Sequence, residues 1–262
     1  MEDAEKAGKK FRQLVQILDE LRGKDGCPWD REQDEKSIAN YFLEEVYEAV
    51  DAITTGGVDS LAEELGDVLM EVVFLARIFK EKEKFMISEV LERINQKMIN
   101  RHPHVFSQKR IEDSKRVIDE WCRQKKEEKG RQSVLDGMAT CLPSLLEAFQ
   151  LGLRVSNVGF DWDQPLDALQ KVKEEVSELE KALIAKKEDE VFKEVGDLFF
   201  AMSNVSRHLG VNPEIALRQA NKKFIQRFRF IEEQLEKEGR VLDQASLEEM
   251  DKIWDEAKEK IK

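Results

Sequence analysis

The chain has 262 residues, 37% of them charged and 41% apolar, with a formal net charge of −12. That length allows one large or two ordinary domains with a buried core. The acidic balance excludes a dominant basic face for wrapping a nucleic-acid polymer, and no apolar run approaches the roughly twenty residues that span a bilayer.

In chain order, Phe11, Leu14, Val15, Leu18 and Leu21 form an apolar stripe that predicts a first helix ahead of a Gly23–Trp29 loop. A second helix is expected over roughly 38–54, stopped by Thr54-Thr55-Gly56-Gly57. The third is expected to open on a capping box formed by Ser60 and Glu63, and runs through Leu65, Val68, Leu69, Val72, Leu75, Ala76 and Phe79. Ser88 is the expected cap of a fourth helix that ends before Pro103. In the second half, Asn212-Pro213 opens the matching helix, with Asn as cap and Pro at the first helical position. The Lys- and Glu-rich stretch Arg123–Gln132 reads as a linker, so the domains are expected at 1–130 and 131–262. No segment alternates with a two-residue period long enough for a strand. The expected fold is all-α, with two tandem helical-bundle domains. Helices two and three carry apolar residues on more than one face (Ile38, Phe42, Val46 and Ile53; Val72, Val73, Phe74 and Leu75), more than a lone small bundle hides, so a homodimer is expected.

The opening Met1-Glu2-Asp3-Ala4-Glu5-Lys6 is charged and has no apolar leader core. Cys27, Cys122 and Cys141 are odd in number, widely spaced and form no Cys-x-x-Cys. They read as reduced thiols of a cytoplasmic protein without a zinc site.

The chain repeats itself at domain scale. Glu44, Glu45, Glu48, Glu64 and Asp67 recur as Glu174, Glu175, Glu178, Glu194 and Asp197, all at an offset of 130. Trp29-Asp30 and Trp162-Asp163 precede the two acidic sets. Asn95, Lys97, Ile99 and Arg101 follow the first with the same spacing as Asn221, Lys223, Ile225 and Arg227 after the second, and Trp121 and Trp254 stand near the end of each half. Landmarks in one order over nearly the whole chain indicate a tandem duplication.

On a helix, Glu45 and Glu48 are i and i+3, and Glu44 and Glu48 are i and i+4, so they share a face; Glu64 and Asp67 do the same on the next helix. A single Glu-Glu-x-x-Glu in so charged a chain is an ordinary solvated helix face. Two observations argue otherwise. The second copy keeps every acid while neighbouring charges differ (Glu63 matches Lys193), and the acids border apolar positions such as Val46, Leu65 and Val68 or Val176, Val195 and Leu198. Converging carboxylates repel unless cations fill them, and hard oxygen donors suit Mg²⁺, with Mn²⁺ an alternative. Lys97 with Arg101, and Lys223 with Arg227, are i, i+4 pairs suited to phosphate, Arg as a bidentate fork and Lys as a point charge. Trp121 and Trp254 read either as core aromatics, the commoner case for a tryptophan, or, since each lies among charged residues, as exposed rings that stack on a base. A carboxylate-bridged di-iron bundle requires Glu-x-x-His, which is absent here. A non-enzymatic helical scaffold explains the charge and the helices but not the repeated cations and tryptophans.

Together with Cys27-Pro28-Trp29-Asp30 and Arg101-His102-Pro103-His104-Val105-Phe106, these motifs resemble the MazG-type nucleoside triphosphate pyrophosphohydrolases in their long form with two tandem MazG domains. The resemblance covers essentially the whole chain. It implies an all-α fold shared with dimeric dUTPases and phosphoribosyl-ATP pyrophosphohydrolase, and a homodimer. It also implies hydrolysis of a nucleoside triphosphate to the monophosphate and pyrophosphate, in nucleotide-pool housecleaning or control. Carried over by residue, Glu175, Glu178, Glu194 and Asp197 would bind metal, with Glu174 orienting or deprotonating water. Lys171, Lys223 and Arg227 would hold phosphates and Trp254 the nucleoside. In the first half the corresponding residues are Glu45, Glu48, Glu64, Asp67, Glu44, Lys97, Arg101 and Trp121. Tyr41 stands where the second half has Lys171, and Pro103 follows Arg101 closely, so the resemblance ranks the second site first as catalyst.

Overall fold

The computed structural model describes residues 2–106, 133–139 and 141–261. The chain divides into two compact units, Met1–Ser114 and Lys115–Lys262. The expected boundary at 130/131, the Arg123–Gln132 linker, Cys122 and Trp121 lie outside the described residues. The described residues are helical or irregular and contain no strand.

The first unit contains α1 (Glu2–Leu21), the short α2 (Pro28–Glu32), α3 (Glu35–Thr55), α4 (Val58–Glu81), α5 (Ile87–Arg101) and the one-turn α6 (Pro103–Phe106). α3 and α4 pack along each other as a hairpin, with α1 and α5 against α4. Gly56 closes α3 in the left-handed region at φ 80°, where a side chain would be strained. Leu18, Ile38, Val73, Phe74 and Ile78 form the core, flanked by Phe11, Leu14, Val15, Leu21, Met70, Leu75 and Ile87. The stripe read from the sequence is therefore the inner face of α1.

Three helix starts differ from expectation. α3 begins at Glu35 because the Asp34 carboxylate accepts from the amides of Lys36 (3.0 Å) and Ser37 (2.8 Å). The apolar period begins only later, at Ile38. α4 begins at Val58 behind Gly57, so Ser60 and Glu63 lie inside the helix and form no capping box. α5 begins at Ile87, with Met86 as cap residue and the Glu89 carboxylate accepting from the Met86 amide at 2.8 Å. Ser88 is thus helical. The Gly23–Trp29 loop also ends early, since Pro28 takes the first position of α2.

The second unit contains α7 (Ser144–Ser156), α8 (Pro165–Ala185), α9 (Glu188–His208), α10 (Pro213–Lys237), a 3₁₀ turn (Leu242–Gln244) and α11 (Leu247–Lys260). α8 and α9 form the hairpin matching α3 and α4, α7 lies on α9 and α10, and α11 packs on α10. As expected, Asn212 caps α10, its side chain accepting from the amides of Glu214 (3.0 Å) and Ile215 (3.3 Å), with Pro213 at the first position. The core of this unit is rich in small residues, with Ala148, Ala168, Ala182, Ala201, Val205, Ile231, Leu235 and Ala257 buried.

Candidate active site

Each hairpin brings its acids together. In the first unit Glu45 of α3 faces Glu64 and Asp67 of α4; in the second, Glu175 of α8 faces Glu194 and Asp197 of α9. In each triad one carboxylate oxygen per residue lies within 4.8 Å of the others. Glu64 and Asp67, like Glu194 and Asp197, are one helical turn apart, so a single face of one helix presents both to the partner helix. Glu48 lies against Glu64, within hydrogen-bonding reach, and Glu178 acts electrostatically on Glu194. Glu44 and Glu174 are exposed at the rims.

Burial and then the neighbouring acids raise the pKa of Glu45, Glu64 and Glu194. Partial desolvation pushes Glu45 up, followed by repulsion from Asp67, Glu48, Glu64 and Glu44. Desolvation likewise leads for Glu64, reinforced by Glu48 and Asp67, and for Glu194, reinforced by Glu178, Glu175 and Asp197. Packed oxygen donors that resist losing their protons fit a hard divalent cation, whose charge reverses that resistance.

The two clusters differ in a cation. Lys171 places its Nζ 2.6 Å from Glu175 and 3.7 Å from Glu174. The hydrogen bond to Glu175 raises the lysine's pKa. The residue expected to hold phosphate therefore neutralises the acids in this structure. Tyr41 occupies the corresponding place in the first unit and pairs instead with Trp29, ring centroids 6.0 Å apart.

The remaining expected residues form groups of their own. Arg227 donates to the Ile261 carbonyl (Nη2 2.9 Å, Nε 3.3 Å) and lies 5.9 Å from the centre of the Trp254 ring, which also meets Phe224 at 5.2 Å. Trp254 is half-buried and Lys223 exposed. Lys97 is exposed on α5, and Arg101 is half-buried in its last turn. His102 follows as the helix cap, with Nδ1 2.7 Å from the Met98 carbonyl.

Sequence reasoning passed over Glu71. It is 4% exposed, and its Oε2 has no hydrogen-bond partner. Burial, then repulsion from Glu45 and Asp67, pushes its carboxyl up to about 7. It continues the i, i+3, i+7 row of Glu64 and Asp67 on α4, which was the available clue. A search by duplication misses it because position 201 is alanine.

Residues 33–106 match the profile of the MazG nucleotide pyrophosphohydrolase domain. The chain is 41% identical over 254 residues to the "Nucleoside triphosphate pyrophosphohydrolase/pyrophosphatase MazG" of Thermotoga maritima, covering 96% of this chain and 97% of that protein. The chain belongs to the MazG family. The MazG relationship extends to the "Nucleoside triphosphate pyrophosphohydrolase" of Escherichia coli K12, 40% identical over 251 residues, with 94% and 95% of the two chains covered. "Uncharacterized protein YabN" of Bacillus subtilis is 42% identical over 253 residues, 95% of this chain but 52% of that protein. Residues 161–224 match the phosphoribosyl-ATP pyrophosphohydrolase profile, so both halves of this MazG chain resemble pyrophosphohydrolases. The protein is an enzyme of that class.

Proposed function

We propose that this MazG enzyme hydrolyses nucleoside triphosphates to the monophosphate and pyrophosphate with Mg²⁺, or Mn²⁺ in its place, in nucleotide-pool housecleaning or control. The observation that carries the reading is the doubled carboxylate triad, oxygens within 4.8 Å, on two equivalent helical hairpins. A bound divalent ion supplies a more acidic water and neutralises phosphate charge. The residues to hold it are Glu175, Glu178, Glu194 and Asp197 in the second site, and Glu45, Glu48, Glu64 and Asp67 in the first.

Glu174 and Glu44, exposed at the rims, accept the proton of the attacking water or orient it. Lys223 and Arg227 hold the phosphates and Trp254 the nucleoside, with Lys97, Arg101 and Trp121 in the same roles for the first half. Lys171 balances Glu175, and with a divalent cation held by Glu175, Glu194 and Asp197 its amine would be available to phosphate. With Tyr41 in that position, the first site lacks this cation, so the second site carries most turnover.

The chain works as a cytoplasmic homodimer of two MazG-like domains, 1–130 and 131–262. Apolar side chains left in solvent support the pairing: Phe192 (83% exposed), Phe199 and Phe200 on α9, and Leu43, Ile53 and Leu65 on the first hairpin. Ile38, Val73 and Phe74, which the sequence pattern offered for that interface, are buried inside the first unit. No helix among the described residues is long and apolar enough to cross a membrane.

The test is ³¹P NMR of a mixed triphosphate pool with Mg²⁺ and with EDTA. Monophosphate and pyrophosphate are expected only with metal; diphosphate and orthophosphate would place the enzyme in another hydrolase class.

A further inference from the structure

Among the described residues only two carboxylates are more than nine-tenths buried, Glu175 (5% exposed) and Glu71 (4%). Glu175 has its counter-charge in Lys171, 2.6 Å away. Glu71 has none: Oε2 meets no donor, and its electrostatic neighbours are two further acids, Glu45 and Asp67. A carboxylate removed from water without a donor or cation is strongly destabilising, so a fold that keeps one generally pairs it.

Its place narrows what the partner is. Glu71 stands one turn beyond Asp67 on the face of α4 that carries Glu64 and Asp67, buried, and the charges acting on it are two members of the first cluster, Glu45 and Asp67. The lysine that balances the second cluster has no counterpart here, because Tyr41 replaces it. The charge that satisfies Glu71 therefore comes from solution.

We propose that Glu71 is an additional ligand of the divalent cation in the first site, reaching it from the inner side and giving that site one carboxylate more than the second. This rests on the metal-site reading above. The second site has Ala201 at the equivalent depth, buried and without a donor. Ligand charge count tunes cation affinity. The first site accordingly fills at lower metal concentration, while in the second the ion competes with Lys171.

Mn²⁺ titration of the full chain, followed by electron paramagnetic resonance, tests this without relying on turnover. Two classes of site are expected in the wild type, the tighter one removed by Asp67→Asn. Glu71→Gln and the similarly shaped Glu71→Met should each weaken that tighter class on the order of tenfold or more and leave the other unchanged. Circular dichroism in EDTA should show both variants folded, since each removes an uncompensated buried charge. If Asp67→Asn loses a class while both Glu71 variants keep wild-type affinity in it, Glu71 is not a ligand and the metal reading stands. A wild-type chain that binds no Mn²⁺ overturns the metal reading itself.

Discussion

Glu71→Gln should stabilise the metal-free protein, and by an amount that depends on pH. The carboxyl moves from an ordinary value of 4.5 to about 7 on folding, chiefly because burial disfavours its ionised form. The folded state thus keeps its proton while the unfolded chain has already lost it. Stability from this group is fully present below pH 4.5 and declines as pH rises toward 7, beyond which the penalty is constant. At about 1.4 kcal/mol per pH unit, that gap gives a penalty of about 3 kcal/mol at pH 8.5 and under about 1 kcal/mol at pH 5. Glutamine keeps the shape and cannot ionise, so its advantage over wild type should grow by about 2 kcal/mol between those pH values. Urea unfolding in EDTA, with hydrogen exchange of the α3 and α4 amides reporting the first unit, measures it. An advantage that does not change between pH 5 and 8.5 would refute an ionising, uncompensated Glu71.

Four further outcomes follow from the same structure. Asp197→Asn should lower turnover on standard triphosphates on the order of 10²-fold, whereas Asp67→Asn should leave most of it, as steady-state kinetics will show. Lys171→Met leaves Glu175 buried without its counter-charge. Because the lysine is 41% exposed, the loss in EDTA should be only about 1–2 kcal/mol, with a larger Mg²⁺-induced rise in melting temperature than in wild type. Glu249, held at about 2 chiefly by its hydrogen bond to Arg240, contributes stability above pH 4.5 that disappears as pH falls toward 2; Arg240→Gln should flatten that acid-side slope in thermal melts. Sedimentation equilibrium should give twice the 30.5 kDa chain mass, and a monomer at micromolar concentration would remove the homodimer.

The fold was legible because its signals are local and doubled. Apolar stripes such as Phe11 to Leu21, the Gly56 stop and the Asn212-Pro213 start each express a rule that acts within a few residues. The same locality explains the misplaced starts. Ser60 and Ser88 are good capping residues, yet Gly57 and Met86, the latter with its amide held by Glu89, precede them and begin the helices. The acids of both triads were legible through the duplication, since repetition separates a site from solvated charge. For that reason Glu71, which has no twin, stayed hidden. Three of the apolar positions offered for the dimer, Ile38, Val73 and Phe74, are buried for a different reason. Periodicity marks Ile38, Val73 and Phe74 as apolar but cannot tell a face covered by the chain's own α1 from one awaiting a second chain. The family resemblance implies a phosphate role for Lys171; only the side-chain geometry places its amine on Glu175.

Whether the doubled carboxylate triads carry metal-dependent pyrophosphate release is decided by the double variant Asp67→Asn with Asp197→Asn. Its turnover on triphosphates should be measured at saturating Mg²⁺, with the fold checked by circular dichroism. A folded protein with turnover reduced to roughly 1% of wild type or less is expected. A folded double variant that still releases pyrophosphate at near wild-type rate would contradict that role of the triads.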